Sequence, residues 1–67
     1  MLYSEYYEKR YSEPNIHFIK WINQVETQVE KNLGVGLLDL PDQPYMVSFE
    51  NGFTVKQMVT QVLESGL

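Results

Sequence analysis

Residues 14–33 constrain the fold of this chain more than any other segment, because their apolar side chains repeat at the spacing of an α-helix. Spacings of three or four residues place one apolar stripe along a helix, and this stripe consists of Phe18, Ile22, Val25, Val29 and Leu33. Pro14 suits the first helical position, where its missing N–H would have no partner anyway. Gly34 supplies the left-handed conformation that ends many helices. The sequence therefore predicts one amphipathic helix over residues 14–33.

A second helix is predicted near the C-terminus. Thr54 and Gln57 are three positions apart, which is the spacing of a capping box, where each side chain bonds the other residue's free backbone N–H. Phe53 and Met58 occupy the positions of a hydrophobic staple around the same helix start. The apolar face would then contain Val55, Met58, Val59, Val62 and Leu63, with Gly66 ending the helix. A helix of about three turns is unstable alone, so we expect it to dock on residues 14–33.

The segment 34–44 cannot continue a helix. Its two prolines push the residues before them toward extended conformations. Leu37, Leu38 and Leu40 make the segment too apolar for a free linker, so we expect it to be attached to the core. Asp39 or Asp42 can cap the next turn by accepting backbone N–H bonds.

Residues 45–52 admit two interpretations. The pair Asn51-Gly52 is typical of a β-hairpin turn, with residues 45–49 as the first strand. A short helix ending at the same pair explains these residues through C-capping. We favour the helix, because only residues 53–55 remain for a return strand and an isolated hairpin is marginally stable.

Together these segments predict an all-α chain. We expect a small bundle of two main helices plus one short helix, with an N-terminal arm or helix. Residues 1–12 are predicted to form the arm, and residues 13–67 a single small helical domain.

Four aromatic residues are candidates for an interaction surface: Tyr3, Tyr7, Tyr11 and Trp21. The three tyrosines recur at every fourth position of the arm, so a helix would stack them on one face. Tyrosine is favoured at interfaces because it joins a large apolar body to a polar tip. Alternatively, the rings pack on the domain's own surface, or the arm frays. Trp21 lies beside the apolar stripe and either joins the core or faces the arm or a partner.

The small size of the chain suggests that its core needs additional support. In a chain of 67 residues, the core supplies at most about 3–5 kcal/mol of stability. The chain has no cysteine for a disulfide, and His17 as the only histidine leaves too few ligands for a structural zinc site. We therefore expect no metal and no cofactor, and we expect a homo-oligomer or an unknown protein partner to provide the support.

The charge pattern argues against a nucleic-acid partner. Five Lys and Arg against nine Asp and Glu give a net charge of −4, and the basic residues are scattered, whereas phosphate binding needs them clustered. No apolar run reaches the roughly 20 residues of a membrane span, and the tyrosine-rich N-terminus lacks the apolar core of a signal peptide. We expect a cytoplasmic protein without a membrane partner.

Catalytic and metal-binding constellations are not recognisable in the sequence. Nucleophilic catalysis requires a base beside the nucleophile, and His17, the sole imidazole, is explained more simply as a solvated or capping residue. Asp39, Asp42 and Glu50 lack the ligand spacing of a calcium loop. We therefore expect no enzymatic activity, and we predict no catalytic, cofactor-binding or metal-ligating residue.

Residues 18–63 resemble a family of very small bacteriophage and bacterial proteins of unknown function. The resemblance rests on the long amphipathic helix, the Asp-Leu-Pro-Asp loop at residues 39–42, the aromatic segment ending at Gly52 and the capped helix from Thr54. It implies a helical architecture and a phage-like origin. No activity or binding residue is implied by it.

Two functions are therefore expected. The first is a protein–protein interaction module that can associate with itself. The alternative is an acidic phage-type inhibitor or decoy of a host nucleic-acid-binding protein, since residues 34–67 hold four acids against one base. Salt screens charge mimicry, so the salt dependence of binding to basic proteins distinguishes the two.

Overall fold

The computed structural model describes residues 2–65, and every regular element in that range is helical. These elements are α1 (Tyr3–Arg10), α2 (Ile16–Leu33), a short 3₁₀-helix (Leu37–Asp39), α3 (Tyr45–Glu50) and α4 (Val55–Ser65). The central helix α2 packs against α1, α3 and α4. The all-α prediction is confirmed: α2 and α4 are the two main helices of a small bundle, α3 is the short one, and the predicted arm contains a helix.

The long helix begins later than predicted. Its N-cap is Asn15, whose side-chain Oδ1 accepts a hydrogen bond from the backbone N–H of Phe18 at 3.1 Å. Pro14 precedes this cap and is not the first helical residue, because the asparagine side chain satisfies an N–H that would otherwise lack a partner. The other end agrees with the prediction: Gly34 has φ 75°, and its N–H donates to the carbonyl of Glu30 at 2.8 Å.

The hydrophobic core lies along the predicted stripe of α2. The first four residues of the stripe are almost completely buried, and only Leu33, at the helix end, remains partly exposed. The facing core residues are Met58 and Val62 of α4, Tyr45 of α3, Leu37 of the loop and Tyr7 of α1. Burying an aliphatic or aromatic side chain contributes about 1.5–3 kcal/mol. Packing against the core therefore stabilises these helices more than their intrinsic propensity does.

The start of α4 confirms the predicted capping box. The backbone N–H of Thr54 donates to Oε1 of Gln57 at 2.8 Å, and the N–H of Gln57 donates to Oγ1 of Thr54 at 3.1 Å. Met58 is fully buried, and Phe53 packs partly buried against the core. The predicted helix end at Gly66 lies outside the described residues.

Residues 45–52 form the predicted short helix. Tyr45 and Ser48 face the core, whereas Val47 is 56% exposed. Gly52 follows α3 with φ 85°, a conformation open to glycine at little cost. The N–H of Phe53 then donates back to the carbonyl of Ser48 at 3.1 Å, so the Asn-Gly pair ends a helix here and does not close a hairpin.

The loop between α2 and α3 is attached to the core mainly through Leu37, which is buried. Leu40 packs partly buried against the core, whereas Leu38 is 41% exposed and points away from it. The loop is therefore attached to the core as expected, but Leu38 does not take part in the attachment. The 3₁₀-helix explains this difference between Leu37 and Leu38. With three residues per turn, two successive side chains cannot point to the same face.

The predicted aspartate caps are not formed. Pro44 occupies the position before α3, and no side chain accepts a hydrogen bond there. Asp39 and Asp42 are both exposed. Because α3 begins only at Tyr45, both aspartates lie too early in the chain to act as its N-cap.

Candidate interaction surface

Two of the four aromatic candidates lie inside the molecule. The Tyr7 ring packs 4.7 Å from that of Phe18, and its hydroxyl accepts a hydrogen bond from the backbone N–H of Asn15 at 3.0 Å. Trp21 packs 5.3 Å from Phe49, and its indole N–H donates to a backbone carbonyl of residue 53 at 2.9 Å. Both side chains are buried, so in this chain they belong to the core.

The other two candidates are more exposed but lie in different places. Tyr3 packs edge-on against Tyr45, with ring centroids 4.9 Å apart. Tyr11 is 54% exposed and stacks on Tyr7 at 4.8 Å. The expected single stack of three tyrosines is therefore divided: Tyr7 and Tyr11 are in contact, while the Tyr3 ring pairs with Tyr6 and Tyr45. The four candidates do not form one exposed surface.

Burial raises the pKa of two tyrosine hydroxyl groups, those of Tyr45 and Tyr3. Removal from water disfavours a charged phenolate, and this raises the pKa of Tyr45 well above its ordinary value, with the neighbouring Tyr3 and Asp42 adding to the effect. The pKa of Tyr3 is also raised, first by burial and then by the charge of Asp42. The Tyr45 hydroxyl is buried and has no hydrogen-bond partner among residues 2–65.

A buried carboxylate holds the N-terminal helix and the loop together. Glu26 of α2 is only 2% exposed. Its Oε1 accepts a hydrogen bond from the backbone N–H of Tyr3, and its Oε2 accepts one from the N–H of Leu37, both at 2.9 Å. These N–H groups begin α1 and the 3₁₀-helix, where a negative charge also complements the helix dipole. One side chain therefore supplies the N-terminal anchor of two elements.

Sequence reasoning overlooked Glu26, although the sequence contains a signal for it. Glu26 follows Ile22 by four residues and precedes Val29 by three, so it lies on the apolar stripe and not on the polar face. A charged residue at such a position must be paired or hydrogen-bonded when it is buried. Its partners could not be predicted, because one of them is 23 positions away.

The loop reaches Glu26 because of a glycine. A Cβ at Gly36 would lie 2.9 Å from Oε2 of Glu26, which is closer than side-chain carbons approach oxygen without displacement. Gly34, two residues earlier, turns the chain out of α2 in the left-handed region. The Gly-Val-Gly sequence thus lets the loop backbone approach the carboxylate closely and leaves Val35 38% exposed between the glycines.

The two elements anchored by Glu26 form the walls of an open groove. Leu2 and Glu5 line it from the start of α1, and Leu38 and Asp39 line it from the 3₁₀-helix. Glu30, at the end of α2, and residues 34–36 complete the groove. We call it the Leu38 groove. Leu2 is 45% exposed, so together with Val35 and Leu38 it gives the groove three exposed aliphatic side chains.

The charged residues that line the Leu38 groove are all acidic. Its lining includes Glu5, Glu30 and Asp39 and no basic residue. Leu38 also borders a second groove, which contains Tyr6, Arg10 and Asp42. There the guanidinium of Arg10 donates to the hydroxyl of Tyr6 and lies 5.3 Å from the ring centre, and that hydrogen bond raises the pKa of Arg10.

Within residues 2–65, no three His, Asp or Glu side chains are placed so that they could hold one metal ion. None of the helices described there is both long and apolar enough to cross a bilayer. His17 is exposed near the start of α2.

The chain was compared with protein-family models, with curated proteins and with solved structures. None of the three comparisons found a match. The phage-like resemblance of residues 18–63 therefore stays a prediction.

Proposed function

We propose that this chain is a small protein–protein interaction module whose binding surface is the Leu38 groove. The observation that carries the proposal is the grouping of Leu2, Val35 and Leu38 in one groove, each more than a third exposed. Single exposed apolar side chains are ordinary on a protein surface, whereas a grouped apolar patch with a polar rim is typical of binding sites. The tyrosines proposed from the sequence do not provide such a group.

The attachment of the groove walls to α2 supports the same function. Its two walls are attached to α2 through the Glu26 carboxylate, and α1 is further held by the hydrogen bond between Asn15 and Tyr7. A surface that is already ordered loses little conformational freedom when it binds. A partner can therefore dock on the groove without first paying for the folding of its walls.

The proposal includes a non-enzymatic role in the cytoplasm of a bacterium, with a phage-like origin. It is supported by the resemblance of the acidic loop and capped helix to small phage proteins. The sequence also contains His17 as its only histidine and has no cysteine. The proposed partners are proteins and not nucleic acids, because the basic residues are few.

A matched pair of variants tests the interaction role. Leu38→Ser removes an exposed aliphatic side chain from the groove, whereas Val47→Ser removes an aliphatic side chain that is 56% exposed on α3. The tagged wild-type chain and both variants are incubated with bacterial extract, and the retained proteins are quantified by mass spectrometry. Sedimentation velocity on the purified chains records self-association.

We expect at least one retained protein, or a self-association, that Leu38→Ser weakens and Val47→Ser leaves intact. An unchanged set of retained proteins in both variants, with no self-association in any chain, contradicts the proposal. Circular dichroism of both variants is the control that checks whether their helical fold is preserved.

An acidic inhibitor of a nucleic-acid-binding protein is the second candidate. It is favoured by the three carboxylates among the residues that line one groove, since that lining includes no basic residue. A decoy that mimics phosphates would bind through charge alone, so its affinity would fall steeply with salt and would not change in Leu38→Ser. An interaction module loses affinity in that variant at any salt concentration.

A further inference from the structure

We propose that the Leu38 groove accepts a cationic amphipathic segment of another protein, with apolar side chains in the groove and Lys or Arg at its rim. This inference rests on the proposed interaction role and adds the chemistry of the partner. Its basis is that three exposed aliphatic side chains and three carboxylates line the same groove.

The charge of the border selects the sign of the partner. Glu5, Glu30 and Asp39 line the groove from three different elements, and all three are exposed. A neutral apolar segment would cover part of their surroundings and remove water from them without offering compensation, which is unfavourable. Lys and Arg provide the opposite charge, and their aliphatic stems can lie along apolar surface while the charged ends stay hydrated.

The same charges argue against a second copy of this chain as the occupant. A two-fold dimer brings the same patch of both subunits together. Three carboxylates of one copy would then face three of the other, with no basic residue among those that line the groove. Like charges placed opposite one another suppress an association, so this surface disfavours symmetric self-association.

The neighbouring groove does not reverse this selection. Arg10 is its basic residue, and the guanidinium is already engaged with the hydroxyl and ring of Tyr6. Asp42 adds a further carboxylate beside Leu38. A segment that extends past Leu38 therefore meets an aromatic ring and another acidic group, which again suits a cationic amphipathic sequence.

The test uses three designed peptides of equal length. The first peptide has Leu at every third or fourth position, as on one face of a helix, and Lys between these positions. The second has Glu in place of every Lys, and the third has Ser in place of every Leu. Each peptide is titrated into the full ¹⁵N-labelled chain, and backbone amide shifts give the affinity and the location of binding.

We expect the Leu/Lys peptide to bind at least about tenfold more tightly than either of the other two, a difference that corresponds to one decade in Kd. The largest shifts should fall on residues 34–39 and on the start of α1. Leu38→Ser should lower the affinity of the chain for this peptide by about tenfold, whereas Val47→Ser should leave the affinity unchanged. Replacing the three rim acids together (Glu5→Lys, Glu30→Lys, Asp39→Lys) should transfer the preference to the Leu/Glu peptide.

Three results would overturn the inference. Equal binding of the Lys and Glu peptides removes the charge argument, and equal binding of the Ser peptide shows that charge alone attracts the probe. A dimer of the free chain that Leu38→Ser dissociates shows that a second copy occupies the groove. In that last case the proposed interaction role stands while the cationic partner is rejected, so the two failures are distinguishable.

Discussion

Glu26 occupies a position where most helices of this kind carry an apolar residue, and its carboxylate accepts two backbone hydrogen bonds in the interior. Hydrogen bonds to a charged acceptor are stronger than neutral ones, but a buried charge also carries a large desolvation cost. The pair of N–H donors offsets that cost. The residue therefore stabilises the fold only as long as both donors remain in place.

Replacing the carboxylate by an amide tests this balance. Glu26→Gln retains the size of the side chain but directs an NH₂ group at one of the two N–H donors, so one hydrogen bond is lost and two donors face each other. We expect a loss of about 2–3 kcal/mol in the free energy of unfolding, measured by urea denaturation. The control Glu30→Gln changes an exposed glutamate on the same helix and should stay within about 0.5 kcal/mol. Equal effects of the two substitutions would show that Glu26 is not an anchor.

Tyr45 makes the stability of the fold sensitive to high pH. Its pKa is raised in the native state by burial, so above the ordinary value of about 10 the unfolded chain releases this proton while the native chain retains it. The unfolded state then binds fewer protons, and stability falls as pH rises. Below about pH 10, Tyr45 is protonated in both the native and the unfolded chain, and its ionisation then takes nothing from the free energy of unfolding.

We expect Tyr45→Phe to remove this alkaline loss. Above about pH 10 the wild type should lose up to about 1.4 kcal/mol per pH unit through this residue, and the variant should show a shallower decline in urea midpoints. At pH 7 the variant should be as stable as the wild type or slightly more so, because the removed hydroxyl is buried without a partner. A parallel decline in both chains would contradict the assignment.

At the scale of secondary-structure elements, local capping explains where the helices begin and end. Asn15 caps α2 and Thr54 caps α4, each through a side chain that accepts a backbone N–H. Gly34 and Gly52 follow α2 and α3 with positive φ. By contrast, α1 has no side-chain cap of its own and depends on Glu26 of α2 for its first N–H. The stability of α1 is therefore tertiary in origin.

The capping box of α4 can be measured against a matched threonine in the same helix. Thr54→Ala removes the acceptor for the Gln57 N–H and should destabilise the chain by about 1 kcal/mol. Thr60 is an exposed threonine within α4, and its hydroxyl donates to the carbonyl of Lys56. Thr60→Ala should be neutral or slightly stabilising, since alanine is the better helix former. Thermal unfolding followed by circular dichroism separates the two outcomes, and equal melting temperatures would contradict the role of the cap.

At the scale of the whole molecule, a chain of 67 residues builds its core from all four helices and the loop. The ring of Tyr7 covers Phe18, and that of Tyr3 covers Tyr45. The predicted division into an N-terminal arm of residues 1–12 and a single small helical domain of residues 13–67 stays a prediction. The contacts of α1 nevertheless make it part of the core.

Removing residues 1–11 tests that division directly. The truncated chain loses the Tyr7 and Tyr3 rings from the core, and Glu26 loses one of its two hydrogen-bond donors. Since a core of this size supplies only about 3–5 kcal/mol, we expect the truncated chain to be largely unfolded at 25 °C by circular dichroism. The full chain with Tyr11→Ser, a change at an exposed ring, should keep its cooperative melt. A truncated chain that melts cooperatively would support the independent domain.

The helical class of this protein follows from its sequence alone. Three sequence signals carry this information: the apolar stripe of α2, the capping box of α4 and the glycines that follow α2 and α3. Each relates residues that are at most four positions apart, so each can be recognised without knowledge of the rest of the chain. The error at the start of α2 has the same local character, because the start is set by Asn15, one residue after Pro14, whose side chain accepts the N–H of Phe18.

Only the tertiary structure decides which apolar side chains remain exposed. Whether a tyrosine of α1 is exposed depends on where α1 lies on α2, and that position is set by contacts such as the one between Tyr3 and Glu26, 23 residues apart. The same carboxylate directs Leu37 inward, so that Leu38 turns outward beside Val35 and Leu2. Burial is a property of packed elements and not of sequence spacing, and for this reason the periodicity predicts the core stripe but not the Leu38 groove.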